Sequence, residues 1–560
     1  MLFVKKIFIF LFFIGFLLSL FITCVRKQAD MVLLNANVIT MNPKKPSAQA
    51  VAIIGDKIVK VGKNKEVEKL IGVQTKVIDL TGKTVVPGFI DAHIHFLGLG
   101  NTKRILNLVG TTSKEEIVKL VKNRILKEGE GKWILGRGWD QNDWPIKEFP
   151  TRWDLDSVSP KNPVVLRRID GHALWVNSLV LKKAGITKQT PDPKGGKILR
   201  DPETGKPTGV LIDEAMSLVK KIMPSPTYEE KKEMAILASK ECSSLGLTTV
   251  HDAGVDLETI KIYKELINEN KLTVRLYVML GWPGDAIDEY FKKGPEIGYG
   301  NNFLTVRSIK MFSDGALGSR GAALFEPYND DPTNTGLITF DPDEALEVMK
   351  KALKKGFQVC VHAIGDRANR LTLDLFEKAF KTVSQTKNHR FRIEHAQVLT
   401  EEDIPRFAKL NVIPSMQPTH ATSDMYWAVD RLGSERAKYA YAWKSLINTG
   451  VRIAGGSDAP VENANPLWGI YAACTRQDHK GWPKGGWYPE QRVTRYEALK
   501  MFTIDAAYAG FEEKIKGSIE EGKLADIVIL SKNLLSIPAK EILNTHVEMT
   551  IVGGKIVYQK

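Results

Sequence analysis

Two histidines, His93 and His95, stand in the stretch VVPGFIDAHIHFLGLG, where an apolar run turns polar and then glycine-rich. Side chains at positions i and i+2 lie on the same face of a β-strand, so the two imidazoles would point the same way. Two imidazoles on one face can bind one metal ion. A pair of partly buried histidines satisfied by hydrogen bonds explains this spacing equally well, so the rest of the chain has to decide.

Further polar side chains follow apolar runs later in the chain, namely Lys310, His362, His395 and Asp458. Each lies at the C-terminal end of a predicted strand, and the C-terminal ends of parallel strands meet at one edge. Nitrogen and carboxylate ligands suit Zn²⁺ and similar metals. Together with the histidine pair, these residues predict a divalent metal site, which we expect to hold zinc as one or two ions per chain.

Short apolar strands alternate with helical segments through the middle of the chain. Examples of the strands are LTVRLYVMLGW, GFQVCVHAIGDRA and VRIAGGSDAP, and EALEVMKKALKK is a helical segment. About eight such alternating units predict parallel strands in a (β/α)8 barrel or a doubly wound sheet. Polar residues recur at the C-terminal ends of these strands, where barrel enzymes have their active sites. We therefore favour the TIM-like (β/α)8 barrel.

The two ends of the chain have a different pattern. Short β-branched runs separated by turn residues occur near the start, as in AVAIIGDKIVKVG, and near the end, as in VEMTIVGGKIVYQK. We therefore predict a composite β-sandwich domain formed by residues 31–86 and 516–560, with the barrel at 87–515. The stretch at about 101–245 is longer than one strand–helix unit needs. We interpret it as an insertion within the barrel that serves as a lid.

The first residues are typical of an export signal. Lys5 and Lys6 precede an apolar run to Thr23, and Cys24 follows it. A charged region before an apolar one is typical of a secretory leader, and the run is close to the length of a membrane span. A bacterial lipoprotein leader over residues 1–24 is the first interpretation, followed by an uncleaved anchor and by simple secretion. We expect an exported, membrane-anchored protein outside the cytoplasm.

The charge pattern limits the class of partner. The chain carries 79 Lys and Arg against 65 Asp and Glu, a formal net charge of +14. The basic residues are scattered among acidic ones without a dense basic block, so nucleic-acid binding is not expected. Cys242, Cys360 and Cys474 show no metal-binding or disulfide spacing. The expected partners are a small-molecule substrate, a membrane through the N-terminal segment, and a second copy in a homodimer.

The order of the polar strand ends identifies a family. VVPGFIDAHIH at the first barrel strand and GSIEEGKLADIVIL near the end resemble the amidohydrolase superfamily. The motifs KMFSDGALGSRGA, VHAIGDRANR, RIEHAQ and GGSDAPV are similar to its family 3 branch, which includes N-substituted formamide deformylases. The resemblance covers nearly everything from about residue 30 onwards. It implies a metal-dependent hydrolase of non-peptide carbon–nitrogen bonds.

The resemblance also implies roles for individual residues. The first-strand histidine pair matches ligands of one metal ion, and His362 and His395 match ligands of a second. Lys310 matches a lysine that carbon dioxide converts to a carbamate, which bridges both ions. Asp458 matches a metal ligand that also handles the proton. An ammonium group beside two cations would be repelled, whereas a carbamate is anionic. We therefore expect a binuclear centre.

Three further residues are candidates for substrate contact, namely His172, His251 and Arg320. Structural roles explain these three about equally well. In the expected mechanism the metal lowers the pKa of bound water to roughly 7, and Asp458 acts as general base and then as general acid.

The predicted reaction is hydrolysis of an amide, a formamide or a cyclic amide by this metal-activated hydroxide. A metal-dependent deaminase or esterase on the same barrel is an alternative. A non-catalytic surface binding protein is the alternative from a different class, although the intact set of polar strand ends argues against it.

Overall fold

The computed structural model describes residues 28–560 apart from 142–143, 169–172, 194–195 and 384–387. Its centre is a nearly closed barrel of eight parallel strands, numbered β1 to β8 in chain order. These strands are Phe89–Ile94, Leu247–Val255, Arg275–Gly281, Leu304–Phe312, Gln358–Ala363, Arg392–His395, Ile413–Met416 and Ala454–Gly455. The predicted (β/α)8 fold is therefore confirmed.

The barrel closes through main chain beyond β8. Neighbouring strands pair in parallel in chain order from β1 to β8. After β8, Asp458 N donates to His93 O at 2.7 Å, and His95 N donates to Ala459 O at 2.8 Å. This closure fixes Asp458 beside the end of β1, where the first histidine pair lies.

Helices surround the barrel and form one large apolar core with its strands. Side-chain caps start several of them. Asp256, for example, accepts from Thr259 N at 2.8 Å and so satisfies one of the free N–H groups at a helix start. The longer helices are Phe96–Arg104, Lys114–Glu128, Ser178–Lys183, Tyr228–Ser244, Leu257–Asn268, Asp285–Lys293, Pro342–Lys355, Asp366–Thr382, Ile404–Leu410, Pro418–Asp424, Ala428–Ala437, Trp443–Asn448, Pro466–Thr475, Arg495–Met501 and Ile504–Ala509.

Strands from both ends of the chain share one six-stranded sheet. Its strands are Asn37–Ile39, Ser47–Ala48, Thr84–Pro87, Ile527–Leu530, Val547–Val552 and Lys555–Gln559. A four-stranded sheet consists of Met31–Leu34, Ala50–Ile54, Lys57–Gly62 and Lys76–Asp79. Leu33, Val85 and Ile527 belong to one buried cluster between the two sheets. The composite β-sandwich that the sequence predicts from both termini is therefore present.

A second six-stranded sheet lies between β1 and β2 in the chain. Its strands are Leu106–Asn107, Ile134–Trp139, Val164–Arg168, Ala173–Val176, Gly196–Arg200 and Pro207–Asp213. Trp139 and Trp175 are buried in its own core, with ring centroids 6.2 Å apart. This sheet is the insertion within the barrel. Its exact limits and its role as a lid stay predictions.

The predicted export and membrane anchoring have to be corrected. Within residues 28–560 and outside the gaps given above, no helix is long and apolar enough to cross a membrane. The helices Tyr228–Ser244 and Asp366–Thr382 have 17 residues each and carry several charged side chains. A membrane span needs about 20 predominantly apolar residues. The leader over residues 1–24, with Cys24, lies outside the described residues.

Candidate metal centre

The predicted polar side chains converge at the C-terminal ends of the barrel strands. The rings of His93 and His395 lie 4.9 Å apart between centroids, and those of His362 and His395 lie 4.6 Å apart. Lys310 Nζ, from β4, lies 3.3 Å from His93 Nε2. Strands β1, β4, β5 and β6 therefore each contribute to one cluster, although they are widely separated in the chain.

Asp458 lies at the centre of this cluster. Its Oδ1 is 3.2 Å from His95 Nε2 and 3.6 Å from His93 Nε2, and its Oδ2 is 3.7 Å from His420 Nε2. Asp458 is only 7% exposed, and its Oδ1 has no hydrogen bond of good geometry despite these short distances. Because a buried acceptor without a hydrogen bond is costly, this atom fits a ligand that the protein alone does not supply.

Two groups of three residues have ligand atoms within 4.8 Å of one another. One group is His93, His95 and Asp458, and the other is His395, His420 and Asp458. His362 joins neither group by this distance, although its ring packs against His395. The residues present therefore fit a metal ion, while the number of ions and the ligand role of each residue stay predictions.

Neighbouring acceptors hold the outer nitrogen of three histidines. His93 Nδ1 donates to Glu394 Oε2 at 2.5 Å, and His395 Nδ1 donates to Gln417 Oε1 at 2.8 Å. His95 Nδ1 lies 3.2 Å from a main-chain carbonyl of β2. A histidine that binds a metal characteristically donates its other N–H in this way. In all three rings Nε2 is therefore the nitrogen that faces the cluster, and in His93 it accepts from Lys310 Nζ at 3.3 Å.

His362 is held by the opposite nitrogen. Its Nε2 lies 3.5 Å from Gly315 O and 3.5 Å from Asp314 Oδ1, which leaves Nδ1 free. Asp314 also accepts the backbone N–H groups of Ala323, Ile364 and Gly365. Burial raises the pKa of Asp314 to about 7, although these hydrogen bonds oppose the shift. Asp314 thus anchors the segment after β4 to the end of β5 and orients His362.

Burial keeps most of these imidazoles neutral. It lowers the pKa of His93 to about 4 and that of His362 to about 3, and the Lys310 charge adds to both shifts. Burial also lowers the pKa of Lys310 itself. For His95 burial acts in the same direction, but the Asp458 carboxylate outweighs it and raises the pKa. Neutral imidazole is the form that binds metals, and a neutral lysine amine is the form that reacts with carbon dioxide.

Glu394, which holds His93, is itself held by a buried guanidinium. Arg392 Nη2 donates to Glu394 Oε2 at 3.0 Å and to Ser415 Oγ at 2.8 Å. Arg392 and Glu394 are both fully buried. Burial would raise the pKa of Glu394, but Arg392 and His93 outweigh it and hold that pKa well below its usual range. The carboxylate stays ionised and fixes the orientation of the His93 ring.

Asp91 joins β1 to the turn that carries Asp458. It accepts from Ser457 N at 3.0 Å, from Ser457 Oγ at 2.5 Å and from His93 N at 3.1 Å. Burial raises the pKa of Asp91 to about 7 in spite of these bonds. Its role is to hold two parts of the cluster in register rather than to contact an ion.

The backbone is strained at two of the cluster positions. His395 has a φ of 75° and Asp458 a φ of 58°, both in the left-handed region. This region costs non-glycine residues roughly 1–2 kcal/mol. In a regular strand, Glu394 and His395 would point to opposite faces. The left-handed turn at His395 instead lets both side chains reach the cluster.

The candidates for substrate contact have different positions. His251 lies in the middle of β2, with Nδ1 2.9 Å from Arg392 Nη1 and Nε2 without a hydrogen-bond partner. Burial and the Arg392 charge hold the pKa of His251 well below its usual value. Arg320 donates twice to Asp330, at 2.9 and 3.1 Å. His172 lies outside the described residues. Substrate contact stays a prediction for all three.

Sequence reasoning missed three residues of the cluster, namely Glu394, Gln417 and His420. The motif RIEH contained a signal, because Arg392 and Glu394 stand two apart in a short buried strand and therefore share a face. Gln417 and His420 directly follow β7 in the sequence QPTH, which is again a polar strand end.

Sequence comparisons show which known proteins this chain resembles. The sequence model described as the amidohydrolase family matches residues 76–558. The protein LONG AFTER FAR-RED 3 of Arabidopsis thaliana is 38% identical over 543 residues, covering 95% of this chain and 92% of that protein. The N-substituted formamide deformylase of Arthrobacter pascens is 28% identical over 551 residues, covering 95% of this chain and 99% of the deformylase.

A solved structure extends the match to three dimensions. An uncharacterized metal-dependent hydrolase from Pyrococcus furiosus aligns with a TM-score of 0.75 at 31% identity. The alignment covers 90% of this chain and 100% of that one.

Proposed function

This chain belongs to the amidohydrolase family, and we propose from that premise that it hydrolyses an amide, a formamide or a cyclic amide. It is a metal-dependent hydrolase acting on carbon–nitrogen bonds. The observation that carries the proposed reaction is the convergence of imidazoles on the buried, ionised Asp458. A carboxylate beside a metal can take a proton from water and return it to a leaving nitrogen.

We infer that the metal is zinc. The donor set of imidazole nitrogens and a carboxylate supports this choice. The β1 histidine pair and Asp458 would hold one ion, and His362 and His395 would hold a second, with Lys310 as a carbamate between them. A divalent ion there would act as a Lewis acid and supply a water-derived nucleophile near neutral pH.

Asp458 moves the proton in the proposed reaction. Burial would raise its pKa, but His95 and the other imidazoles outweigh burial and hold that pKa well below its usual range. The carboxylate can therefore accept a proton at neutral pH. It passes this proton to the nitrogen as the carbon–nitrogen bond breaks, so that an amine and a carboxylic acid are released.

A substrate panel tests the proposal. Purified protein of measured zinc content would be assayed with N-substituted formamides, N-acyl amines and cyclic amides, and released amine would be quantified. We expect turnover of at least one class, loss of turnover after chelation, and recovery when zinc is restored. Release of ammonia from aminated heterocycles, or cleavage of esters with every amide inert, would contradict the proposed reaction and favour the deaminase or esterase alternative.

A further inference from the structure

We propose that His420 is a catalytic residue whose Nε2–H donates a hydrogen bond to the substrate oxygen beside Asp458, and that it is not a further metal ligand. The inference rests on the proposed hydrolysis. It adds the group that binds the oxygen of the scissile carbonyl.

His420 lies on one side of Asp458, at the edge of the cluster of side chains described above. It lies in the helix Pro418–Asp424, directly after β7, and is 7% exposed. Its ring is nearly parallel to that of His395, with centroids 5.9 Å apart. The β1 histidine pair faces Asp458 Oδ1, whereas His420 Nε2 faces Oδ2. His420 can therefore reach a molecule bound at Asp458 without displacing the β1 pair.

The hydrogen bonds of His420 place its proton on a different nitrogen from that of His93 and His395. Gln397 Nε2 donates to His420 Nδ1 at 3.1 Å. In His93 and His395, by contrast, Nδ1 is the donor. A neutral imidazole has one donor and one acceptor nitrogen, so an accepting Nδ1 places the proton on Nε2. An Nε2–H has no lone pair to offer a metal, and it is a hydrogen-bond donor.

This donor has no partner among the described residues. His420 Nε2 is buried without a hydrogen bond, and its 3.7 Å distance from Asp458 Oδ2 is too long for one. A buried donor in this state is costly unless a ligand satisfies it. The partner that fits is an acceptor beside Asp458.

The carbonyl oxygen of the scissile amide is such an acceptor. When the nucleophile attacks the carbonyl carbon, the carbon–oxygen double bond becomes single and its electron pair moves to the oxygen. A donor placed in advance stabilises this negative charge. No covalent bond to His420 forms or breaks, and the proton stays on Nε2 throughout. His420 is thus distinct from Asp458, which gains and loses a proton.

Two variants separate a donor from a ligand. His420→Ala should keep the wild-type zinc content and lower kcat by about 10²–10³-fold, as expected when one such donor is removed. Gln397→Glu replaces the amide donor with a carboxylate acceptor, and nitrogen NMR of this variant would check that the ring stays neutral with its proton moved to Nδ1. It should lower kcat in the same range although His420 is retained. Thr422→Ala, on the same helix, is the control that should leave kcat and zinc content unchanged.

Clear outcomes would overturn the assignment. Loss of zinc from His420→Ala together with tighter zinc binding in Gln397→Glu would make His420 a ligand. A kcat for His420→Ala within roughly threefold of the wild-type value would remove the donor role.

A binding measurement separates failure of this inference from failure of the proposed function. Formate would be titrated into the zinc-loaded wild type and into His420→Ala, and we expect binding to weaken by about tenfold or more in the variant. Nitrogen NMR of the wild type should place the His420 proton on Nε2. If no amide is hydrolysed but both results hold, the proposed reaction fails while the donor remains. Equal formate binding, or a proton on Nδ1, overturns the donor whatever the substrate panel shows.

Discussion

Two buried arginine–carboxylate pairs lie towards opposite ends of the barrel and have different structural roles. Arg392 and Glu394 belong to β6, near the metal cluster, and Glu394 accepts from His93. Arg275 begins β3 at the other end, where it donates to Asp526 at 2.8 and 3.0 Å. Asp526 directly precedes the first C-terminal strand of the composite sheet. The same kind of pair therefore orients His93 near the cluster and attaches the composite sheet at the N-terminal end of the barrel strands, here called the base.

The difference between the pairs lies in how their hydrogen bonds are used. Both oxygens of Asp526 bind Arg275, and Oδ1 also accepts from Gly553 N at 2.8 Å, so this pair is fully satisfied. Glu394 Oε1 lies 2.8 Å from Arg392 Nε, but the angle is too poor for a hydrogen bond. This contact is therefore a weak one, because a hydrogen bond weakens steeply when bent. The Arg392–Glu394 pair therefore has fewer of its hydrogen bonds formed than the Arg275–Asp526 pair. The shortest hydrogen bond that Glu394 accepts comes from His93.

The largest expected effect is confined to the metal cluster. Asp458→Asn should keep the fold and much of the metal but lower kcat by about 10²–10⁴-fold, because an amide cannot accept the proton. Asp526→Asn is the matched change at the base and should leave kcat per folded molecule unchanged. Steady-state rates and zinc content of both proteins would check this. Near-wild-type turnover by Asp458→Asn would show that Asp458 is not the proton carrier.

The paired substitutions Glu394→Gln and Asp526→Asn compare the two sites directly. Each leaves a buried arginine without its charge partner, so each should lower the free energy of unfolding by about 3–5 kcal/mol. Only Glu394→Gln should also weaken zinc binding, by about 10–100-fold, because His93 then donates to a neutral amide oxygen instead of a carboxylate. Denaturant unfolding of metal-free protein and competition with a zinc chelator would separate the two effects. Equal zinc affinities would mean that the charge of the Glu394 carboxylate does not strengthen metal binding by His93.

Buried lysines offer a second matched pair. Lys310→Ala near the cluster should reduce both zinc content and turnover, and small carboxylic acids should partly restore them, since a carboxylate can replace a bridging carbamate. Lys516, at the base, is also buried and pairs with Glu512 at 2.7 Å. Lys516→Ala should lower stability but leave zinc per chain unchanged, as measured by elemental analysis. Unchanged zinc in Lys310→Ala would remove the binuclear proposal and leave a one-metal hydrolase.

The smallest expected effect is a difference in acid sensitivity. Burial and the Arg392 charge lower the pKa of His251 in the folded protein. As the pH drops, His251 is therefore protonated in the unfolded chain before it is protonated in the folded one. The free energy of unfolding falls as the pH drops below about 6.5. Burial would raise the pKa of Asp526, but Arg275 outweighs burial and lowers it. The stability that Asp526 contributes is therefore lost only as the pH falls below about 3.8.

Unfolding free energies of metal-free protein between pH 7 and pH 3 would test this order. His251→Asn should flatten the slope near pH 6, by at most about 1.4 kcal/mol per pH unit, and Asp526→Asn only near pH 3–4. Parallel curves for His251→Asn and the wild type near pH 6 would show that His251 is protonated at that pH in the folded protein.

The barrel could be predicted from the sequence because its strands are short apolar runs that end in polar residues. The same rule located His93, His362, His395 and Asp458, since parallel strands bring their ends together. It could not rank His420, because a helical residue after β7 has no strand periodicity to fix its direction. Glu394 was hidden for another reason. Only the left-handed backbone at His395 lets two adjacent strand residues serve one cluster.

The predicted leader shows what a local sequence pattern cannot establish. A charged start and an apolar run predicted a membrane anchor, but this stretch lies outside the described residues, and no helix within them is long and apolar enough to cross a membrane. The composite sheet was predictable because both of its halves have strand periodicity of their own. Its packing against the barrel through Arg275 and Asp526 was not, because a single buried ion pair leaves no periodic signal.

The closure of the barrel by Asp91 and Ser457 also has a consequence during synthesis of the protein. These two residues are 366 positions apart in the chain. A ribosome adding about 5–20 residues per second needs roughly 20–70 s to cover that distance. Throughout this time the nascent chain has the first histidine pair but not the carboxylate that completes its group, and the edge of β1 has no partner on one side. Premature metal binding and strand mispairing are therefore hazards during translation of this fold. A slow stretch of codons before residue 458 would lengthen the time during which the nascent chain is exposed to both.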